Sequence, residues 1–231
     1  MVMSKPLCII PARGGSKRFP KKNMALLNGK PLVDYAIEVA LASKIFSRVC
    51  VSSEDQEILD IAKSYNPDFA MPRPQRLARD KSRIPQVCKY VLDELLKLGE
   101  KYEEFAILLP TSPLRTTTDI VKSFKIFKGN GANCVMSVTP FSHPPQRALS
   151  VENGLVKPYF GNQFMKQAQE LAQLYRHDGT VIFIKTEVFL ANNDYYVENT
   201  LPYYVPLERA VDVDNLLDLK FAEFLMKITP K

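Results

Sequence analysis

The 231-residue sequence has no tryptophan, two histidines, four cysteines and nine glycines. With only His143 and His177, a histidine-rich metal centre or a histidine proton relay has almost no material. Cys8, Cys50, Cys88 and Cys134 lie far apart and never in C-x-x-C spacing, which argues against zinc and dithiol redox motifs. Three of them (Cys8, Cys50 and Cys134) stand in apolar, strand-like runs, so buried free thiols in a reducing cytoplasm are expected. No apolar run approaches the roughly 18 residues of a membrane span. The stretch MVMSKPLCII is short and runs into a charged loop, not a secretory cleavage site. Neither G-x-G-x-x-G nor G-x-x-x-x-G-K-[ST] occurs. The formal net charge is +6, yet no run of five or more like charges forms a nucleic-acid arm, and no RNA-binding motif or basic helix is present.

The positive charge is instead concentrated in one place. Residues 8–23 read Cys-Ile-Ile-Pro-Ala-Arg-Gly-Gly-Ser-Lys-Arg-Phe-Pro-Lys-Lys-Asn. An apolar strand over residues 7–10 runs into a loop holding Arg13, Lys17, Arg18, Lys21 and Lys22. Such a density of cations at the end of a core strand calls for a polyanion. Gly14 and Gly15 can take backbone angles that turn several N–H groups toward one ligand. Arg13 and the lysines add formal charge for phosphate oxygens. The pattern predicts a nucleoside triphosphate loop. A solvated basic surface loop is the plainer alternative.

Strand and helix signals alternate over the first 140 residues. Strands are expected at 7–10, 49–52, 68–71, 105–109 and 133–138. Helices are expected at 31–42, after a Ser53/Gln56 capping box, at 85–98, and from Thr116 to about Lys128. Near-continuous apolar strands alternating with helices predict an α/β fold with a mainly parallel sheet flanked by helices. Residues 1–231 read as one domain, with 140–176 as an inserted excursion. That excursion has a proline-rich start, an Asn153-Gly154 hairpin signal and a Gln-rich helix over about 162–174. Strands at 180–184 and 203–205 follow. A last helix after Asp214 is expected to turn Leu217, Phe221, Phe224 and Leu225 toward the core. Ligands of parallel α/β sheets bind beyond the carboxyl ends of the strands. The basic loop, the segment 110–115 and the Asp212-Val213-Asp214 turn all fall there. Carboxylates two apart on an extended segment point the same way, so Asp212 and Asp214 can share one hard cation.

Ile10-Pro11-Ala12-Arg13-x-x-Ser16-Lys17 followed by Lys22-Asn23 resembles the N-terminal signature of the acylneuraminate cytidylyltransferases, the CMP-sialic acid synthetases. The resemblance continues along the chain. Arg73-Pro74 with Leu77-Ala78-x-Asp80 is similar to the family's R-P-x-x-L-A-x-D. Pro110-Thr111-Ser112-Pro113-Leu114-Arg115-Thr116 is similar to L-L-Q-P-T-S-P-L-R-T, with Leu109 where the family usually has Gln. Tyr175-Arg176-His177-Asp178-Gly179 is similar to Y-R-x-N-G, with Asp178 replacing Asn. Val211-Asp212-Val213-Asp214 is similar to D-I-D-T-x-x-D-L.

The resemblance implies a Rossmann-like nucleotidyltransferase sheet and transfer of CMP from CTP to the anomeric hydroxyl of a nine-carbon 2-keto sugar acid. It implies nucleotide contacts from Ala12, Arg13, Gly14, Gly15, Ser16, Lys17, Lys22, Asn23, Arg73 and Ser82. Lys22 is the candidate for the α-phosphate, Arg13, Ser16 and Lys17 for the β- and γ-phosphates, and Asn23, Arg73 and Ser82 for the base. It implies sugar contacts from Leu109, Thr111, Ser112, Arg115, Arg147 and Asp178, and Mg2+ on Asp212 and Asp214. A homodimer through the excursion is expected. Leu109 and Asp178 hint at a non-standard sugar such as legionaminic or pseudaminic acid. The related enzymes acting on the eight-carbon acid KDO share the first loop, but their V-N-V-Q-G-D-E-P segment is missing here.

Overall fold

A computed structural model describes residues 5–228. The elements in chain order are β1 (Leu7–Pro11), β2 (Leu26–Leu27), β3 (Lys30–Pro31), α1 (Leu32–Ser43), β4 (Arg48–Ser53), α2 (Gln56–Tyr65), β5 (Ala70–Pro72), α3 (Ile84–Lys97), β6 (Glu104–Ile107), α4 (Thr117–Gly129), β7 (Cys134–Pro140), β8 (Leu149–Glu152), β9 (Leu155–Pro158), β10 (Tyr175–Lys185), α5 (Thr186–Asn192), β11 (Thr200–Tyr204) and α6 (Leu216–Ile228). Seven strands form one sheet in the order β11-β7-β10-β6-β1-β4-β5. Only β10 runs antiparallel to its neighbours. The β2–β3 and β8–β9 pairs are separate hairpins.

The sheet is apolar on both faces, as a covered parallel sheet requires. Along β1, Cys8 and Ile10 face a core with α1, α2 and α4, whereas Leu7 and Ile9 face α3 and α5. Phe183 of β10 anchors the first layer, with ring centroids 5.9 Å from Phe46, 5.2 Å from Phe124 and 6.0 Å from Phe127. A fully buried side chain of this size contributes about 1.5–3 kcal/mol. All four cysteines are free and buried, as expected from their apolar neighbourhoods. Among the described residues no helix is long and apolar enough to cross a membrane.

Three expectations need revision. The capping box at Ser53 is absent: Asp55 caps α2 by accepting the Glu57 amide at 2.9 Å, while Ser53 Oγ accepts the Asp55 amide at 3.0 Å. The helix expected over 162–174 is replaced by two single 3-10 turns, Asn162–Phe164 and Ala168–Glu170, because this stretch has no buried apolar face to stabilise a longer helix. The last helix is rotated. Leu219, Ala222 and Leu225 are buried, while Leu217, Phe221 and Phe224 are 75%, 51% and 54% exposed. Its phase is fixed at the start of the helix. Asp218 Oδ2 accepts the Asp214 and Asn215 amides at 2.8 and 3.0 Å, and Asn215 Oδ1 accepts the Leu217 and Asp218 amides at 2.8 and 3.1 Å.

Candidate active site

A cleft of about 290 Å3 opens at the carboxyl ends of β1, β5 and β6. Its wall includes Arg13, Ser16, Lys22 and Asn23 from the basic loop, Arg73 and Ser82 beyond β5, Leu109 and Thr111 beyond β6, and Asp212 and Asp214 before α6. Segments nearly 200 positions apart therefore face one space, which is where open α/β sheets place ligands. An adjoining hollow of about 360 Å3 is lined by Lys17 and Arg18 together with Arg13, Ser16, Lys22, Asp80 and Asp214.

The basic loop is shaped by its neighbours more than by glycine freedom. Neither Gly14 nor Gly15 has positive φ; that angle falls to Lys21, at 51°. Gly14 is required by close packing, since a Cβ there would lie 2.2 Å from Asp55 Oδ2. Ala12 is buried behind the cleft, and its amide donates to the Ser52 carbonyl at 3.0 Å, extending the β1–β4 ladder. Buried Asn23 donates through Nδ2 to the Arg13 carbonyl at 2.8 Å, folding the loop back on itself. Its amide group is a brace for the loop as well as part of the wall.

Each cation of the loop meets a carboxylate. Lys22 Nζ lies 2.7 Å from Asp214 Oδ1, and Arg18 lies 3.2 Å from Asp214 Oδ2. Arg13 and Lys17 lie 3.1 and 2.8 Å from the two oxygens of Asp80, and Lys21 lies 2.6 Å from Glu57. The Lys22 side chain is only 16% exposed and so is held at the cleft floor, whereas that of Lys17 is 84% exposed. The hydrogen bond from Lys22 and its nearby charge hold the Asp214 carboxyl below the usual carboxylate range, against the opposing effect of burial. Asp212 behaves oppositely. It is open to the cleft, yet the surrounding protein desolvates it enough to raise its pKa; the Asp214 charge adds to this, and the Thr111 hydrogen bond opposes it. Between the two, Val213 is fully buried and its amide donates to the Thr111 carbonyl at 2.8 Å, so the pair is tied to the loop after β6.

The donor set fits a magnesium ion. Two carboxylates on one wall offer hard oxygen ligands, and no group of three or more His, Cys, Asp or Glu residues able to hold a metal exists among the described residues. Magnesium commonly takes one or two carboxylates and completes its shell with water and substrate phosphates.

Of the residues expected to meet a sugar, Leu109 and Thr111 line the cleft. Ser112, Arg115 and Asp178 lie buried behind it. Ser112 Oγ donates to the Asp178 carbonyl at 3.0 Å. The Asp178 carboxylate is spent on Thr180, accepting its hydroxyl at 2.6 Å and its amide at 3.2 Å. Arg115 donates to the carbonyls of Leu109 at 2.8 Å, Gly179 at 3.1 Å and Thr180. Burial pushes this guanidinium down to about 10, still charged at neutral pH. The three residues bolt the loop after β6 to β10 where that strand's pairing with β7 shifts register between His177 and Ile182. Arg147 lies in an exposed 3-10 turn of the excursion, outside the cleft wall.

The sequence motifs passed over several contributors. Glu54, Asp80 and Arg18 had no assigned role, yet the first two hold the loop and the third reaches Asp214. Leu77, Arg79, Ile84 and Val87 complete the wall with a partly apolar surface.

A sequence model of the cytidylyltransferase family matches residues 7–211. The chain belongs to that family. It is a nucleotidyltransferase. The pseudaminic acid cytidylyltransferase of Campylobacter jejuni is 32% identical over 225 residues, covering 97% of each chain. The N-acylneuraminate cytidylyltransferase of Escherichia coli is 32% identical over 220 residues, covering 95% of this cytidylyltransferase and 51% of that longer protein. Among solved structures, a CMP-2-keto-3-deoxy-manno-octonic acid synthetase complexed with CTP superposes with a TM-score of 0.71 at 16% identity, covering 97% of this chain and 99% of that one. At that identity the likeness is one of fold: a mainly parallel sheet flanked by helices.

Proposed function

We propose that this cytidylyltransferase transfers CMP from CTP to the anomeric hydroxyl of a nine-carbon 2-keto sugar acid and releases pyrophosphate. The observation that carries the reading is the meeting of Lys22 and Asp214 at 2.7 Å, across 192 positions of sequence, on the wall of one cleft. In the reaction the sugar hydroxyl oxygen bonds to the α-phosphorus, and the bond from that phosphorus to the bridging oxygen breaks. The electron pair leaves with pyrophosphate, and the hydroxyl proton passes to water. Charge develops on the α-phosphate and on the leaving group, so positioned cations rather than a covalent nucleophile supply catalysis.

Lys22 is the residue for the α-phosphate, because its ammonium sits at the cleft floor with little freedom. Arg13, Ser16 and Lys17 are placed to take the outer phosphates, with Arg18 beside them. Arg73, Ser82 and Asn23 form the base end. Asp212 and Asp214 would hold Mg2+, which when bound neutralises triphosphate charge and acidifies the attacking hydroxyl. Ion pairs to Asp80 and Asp214 keep the loop's cations oriented before nucleotide arrives, and phosphate oxygens then replace those carboxylates as partners.

The sugar is a pseudaminic, legionaminic or N-acetylneuraminic acid. Leu109 gives the cleft wall an apolar side chain where the family usually has Gln, which favours a deoxygenated acceptor of the pseudaminic or legionaminic type. A homodimer is supported by the exposed apolar surface of the excursion, including Val151, Leu155 and Val156. The test is pyrophosphate release from CTP with Mg2+ and a panel of these acids and KDO. Turnover with at least one nine-carbon acid, and little with KDO, is expected. Turnover with KDO alone would overturn the reading. Equal use of N-acetylneuraminate by the native enzyme and Leu109→Gln would remove Leu109 from sugar selection.

A further inference from the structure

One buried carboxylate joins the two ends of the nucleotide site without facing the cleft. Glu54 follows β4, and its side chain is only 8% exposed. Oε1 accepts the Gly14 amide of the basic loop at 2.8 Å. Oε2 accepts Nε and Nη2 of Arg73 at 3.1 and 2.9 Å. Arg73 is itself buried, with a side chain 2% exposed, and it lines the cleft. The two Glu54 bonds use one edge of its guanidinium, and Nη1 has no protein partner among the described residues. The Arg73 amide donates to the Ser53 carbonyl at 2.9 Å, so backbone and side chain are both anchored on the end of β4. Glu54 appears in the wall of a separate shallow groove with Gly14, Gly15 and Asp55, behind the cleft.

We propose that Glu54 is a positioning residue for base selection, its carboxylate aiming the Arg73 guanidinium at the nucleotide base while holding the Gly14 amide in register with it. The inference rests on the nucleotide reading given above. Its physical logic is that a long, flexible cation discriminates poorly unless one edge is fixed. The rigid base for this is local. Asp55, the next residue, caps α2 and packs against Gly14 so closely that no Cβ fits there. Carboxylate is needed rather than amide, since both oxygens must accept: Glu54→Gln offers one acceptor oxygen for three donating N–H groups on two residues. Glu54→Asp keeps the charge but, shorter by one methylene, reaches only one partner.

The experiment measures kcat and KM for CTP, and the Ki of UTP as a competitor, in the native enzyme, Glu54→Gln, Glu54→Asp and Arg73→Lys. Glu54→Gln is expected to lower the ratio of UTP Ki to CTP KM by about tenfold, raising CTP KM far more than it lowers kcat. Glu54→Asp should fall between it and the native enzyme. A merely structural role would weaken both nucleotides alike; an unchanged ratio in Glu54→Gln overturns the proposal. Discrimination unaltered in Arg73→Lys would instead overturn the assignment of Arg73 to the base. Should Glu54→Gln fail to fold, the Glu54→Gln/Arg73→Met pair removes the uncompensated charge. Its ratio is expected to equal that of Arg73→Met alone, and a further drop would show that Glu54 does not act through Arg73.

Discussion

The cleft edge and the excursion between β7 and β10 are built from opposite materials. At the cleft edge, polar side chains are buried and each has a partner: Arg73 with Glu54, Asn23 with the Arg13 carbonyl, Arg115 with three carbonyls. In the excursion the apolar side chains are outside. Leu149, Val151, Leu155, Val156, Tyr159 and Phe160 are all exposed, on a hairpin that pairs only with itself. The first arrangement fixes the positions of charges before a ligand arrives. The second leaves surface that water covers poorly and another surface could cover better. On the proposed reading, preorganisation falls to the cleft edge and association to the excursion.

Four changes sharpen that contrast. Lys22→Ala, at the cleft floor, should lower kcat by about 10^2–10^3-fold with an unchanged circular dichroism spectrum and denaturant midpoint. Near-native turnover would remove Lys22 from the mechanism. Arg115→Ala should have the reverse profile. It strands three buried carbonyls, so a loss of about 2–4 kcal/mol in urea unfolding is expected. A change in sugar KM without a change in stability would return Arg115 to the ligand. Asp212→Asn should raise the Mg2+ concentration for half-maximal turnover at least about tenfold, read from a metal titration; an unshifted titration would reassign the acid. The double change Val151→Ser/Leu155→Ser should alter the unfolding free energy of the protomer by less than about 0.5 kcal/mol and shift the sedimentation coefficient toward the monomer. Dimers of native strength would place the contact elsewhere.

The sheet was legible because its strands are buried on both faces and read as unbroken apolar runs, as at Leu7–Ile10. The excursion was harder. Gln-rich residues between 162 and 174 tolerate a helix, but nothing there supplies an apolar face to pack one, and two isolated turns resulted. The last helix carries two apolar stripes; of the four residues expected to face the core only Leu225 does, and the bulkier Leu217, Phe221 and Phe224 lie outside. Capping by Asn215 and Asp218 decided for the stripe with Leu219, Ala222 and Leu225.

For the site, the cations clustered in one loop and the Asp214 that meets Lys22 and Arg18 were visible, but Glu54 and Asp80 were not. Glu54 lies 40 positions from Gly14 and Asp80 lies 67 from Arg13, and only the pairing of β4 beside β1 and the turn after β5 bring them near. Ser112, Arg115 and Asp178 mark the opposite difficulty. A polar side chain in a loop beside a cleft can face the ligand or brace the wall from behind, and chain order does not distinguish the two. Buried groups that need partners made these three into braces: carbonyls for Ser112 and Arg115, the Thr180 amide and hydroxyl for Asp178.

On the proposed reading, Arg13–Asn23 and Asp212/Asp214 grip one nucleotide between them, and a crystal structure with CTP and Mg2+ is the test. The triphosphate is expected against Arg13, Lys17 and Lys22, with Mg2+ held by Asp212 and Asp214. Triphosphate bound away from this cleft, for instance in the hollow of about 560 Å3 between Leu92 and Leu190 at the other end of the sheet, or metal bound without Asp212 and Asp214, would contradict it.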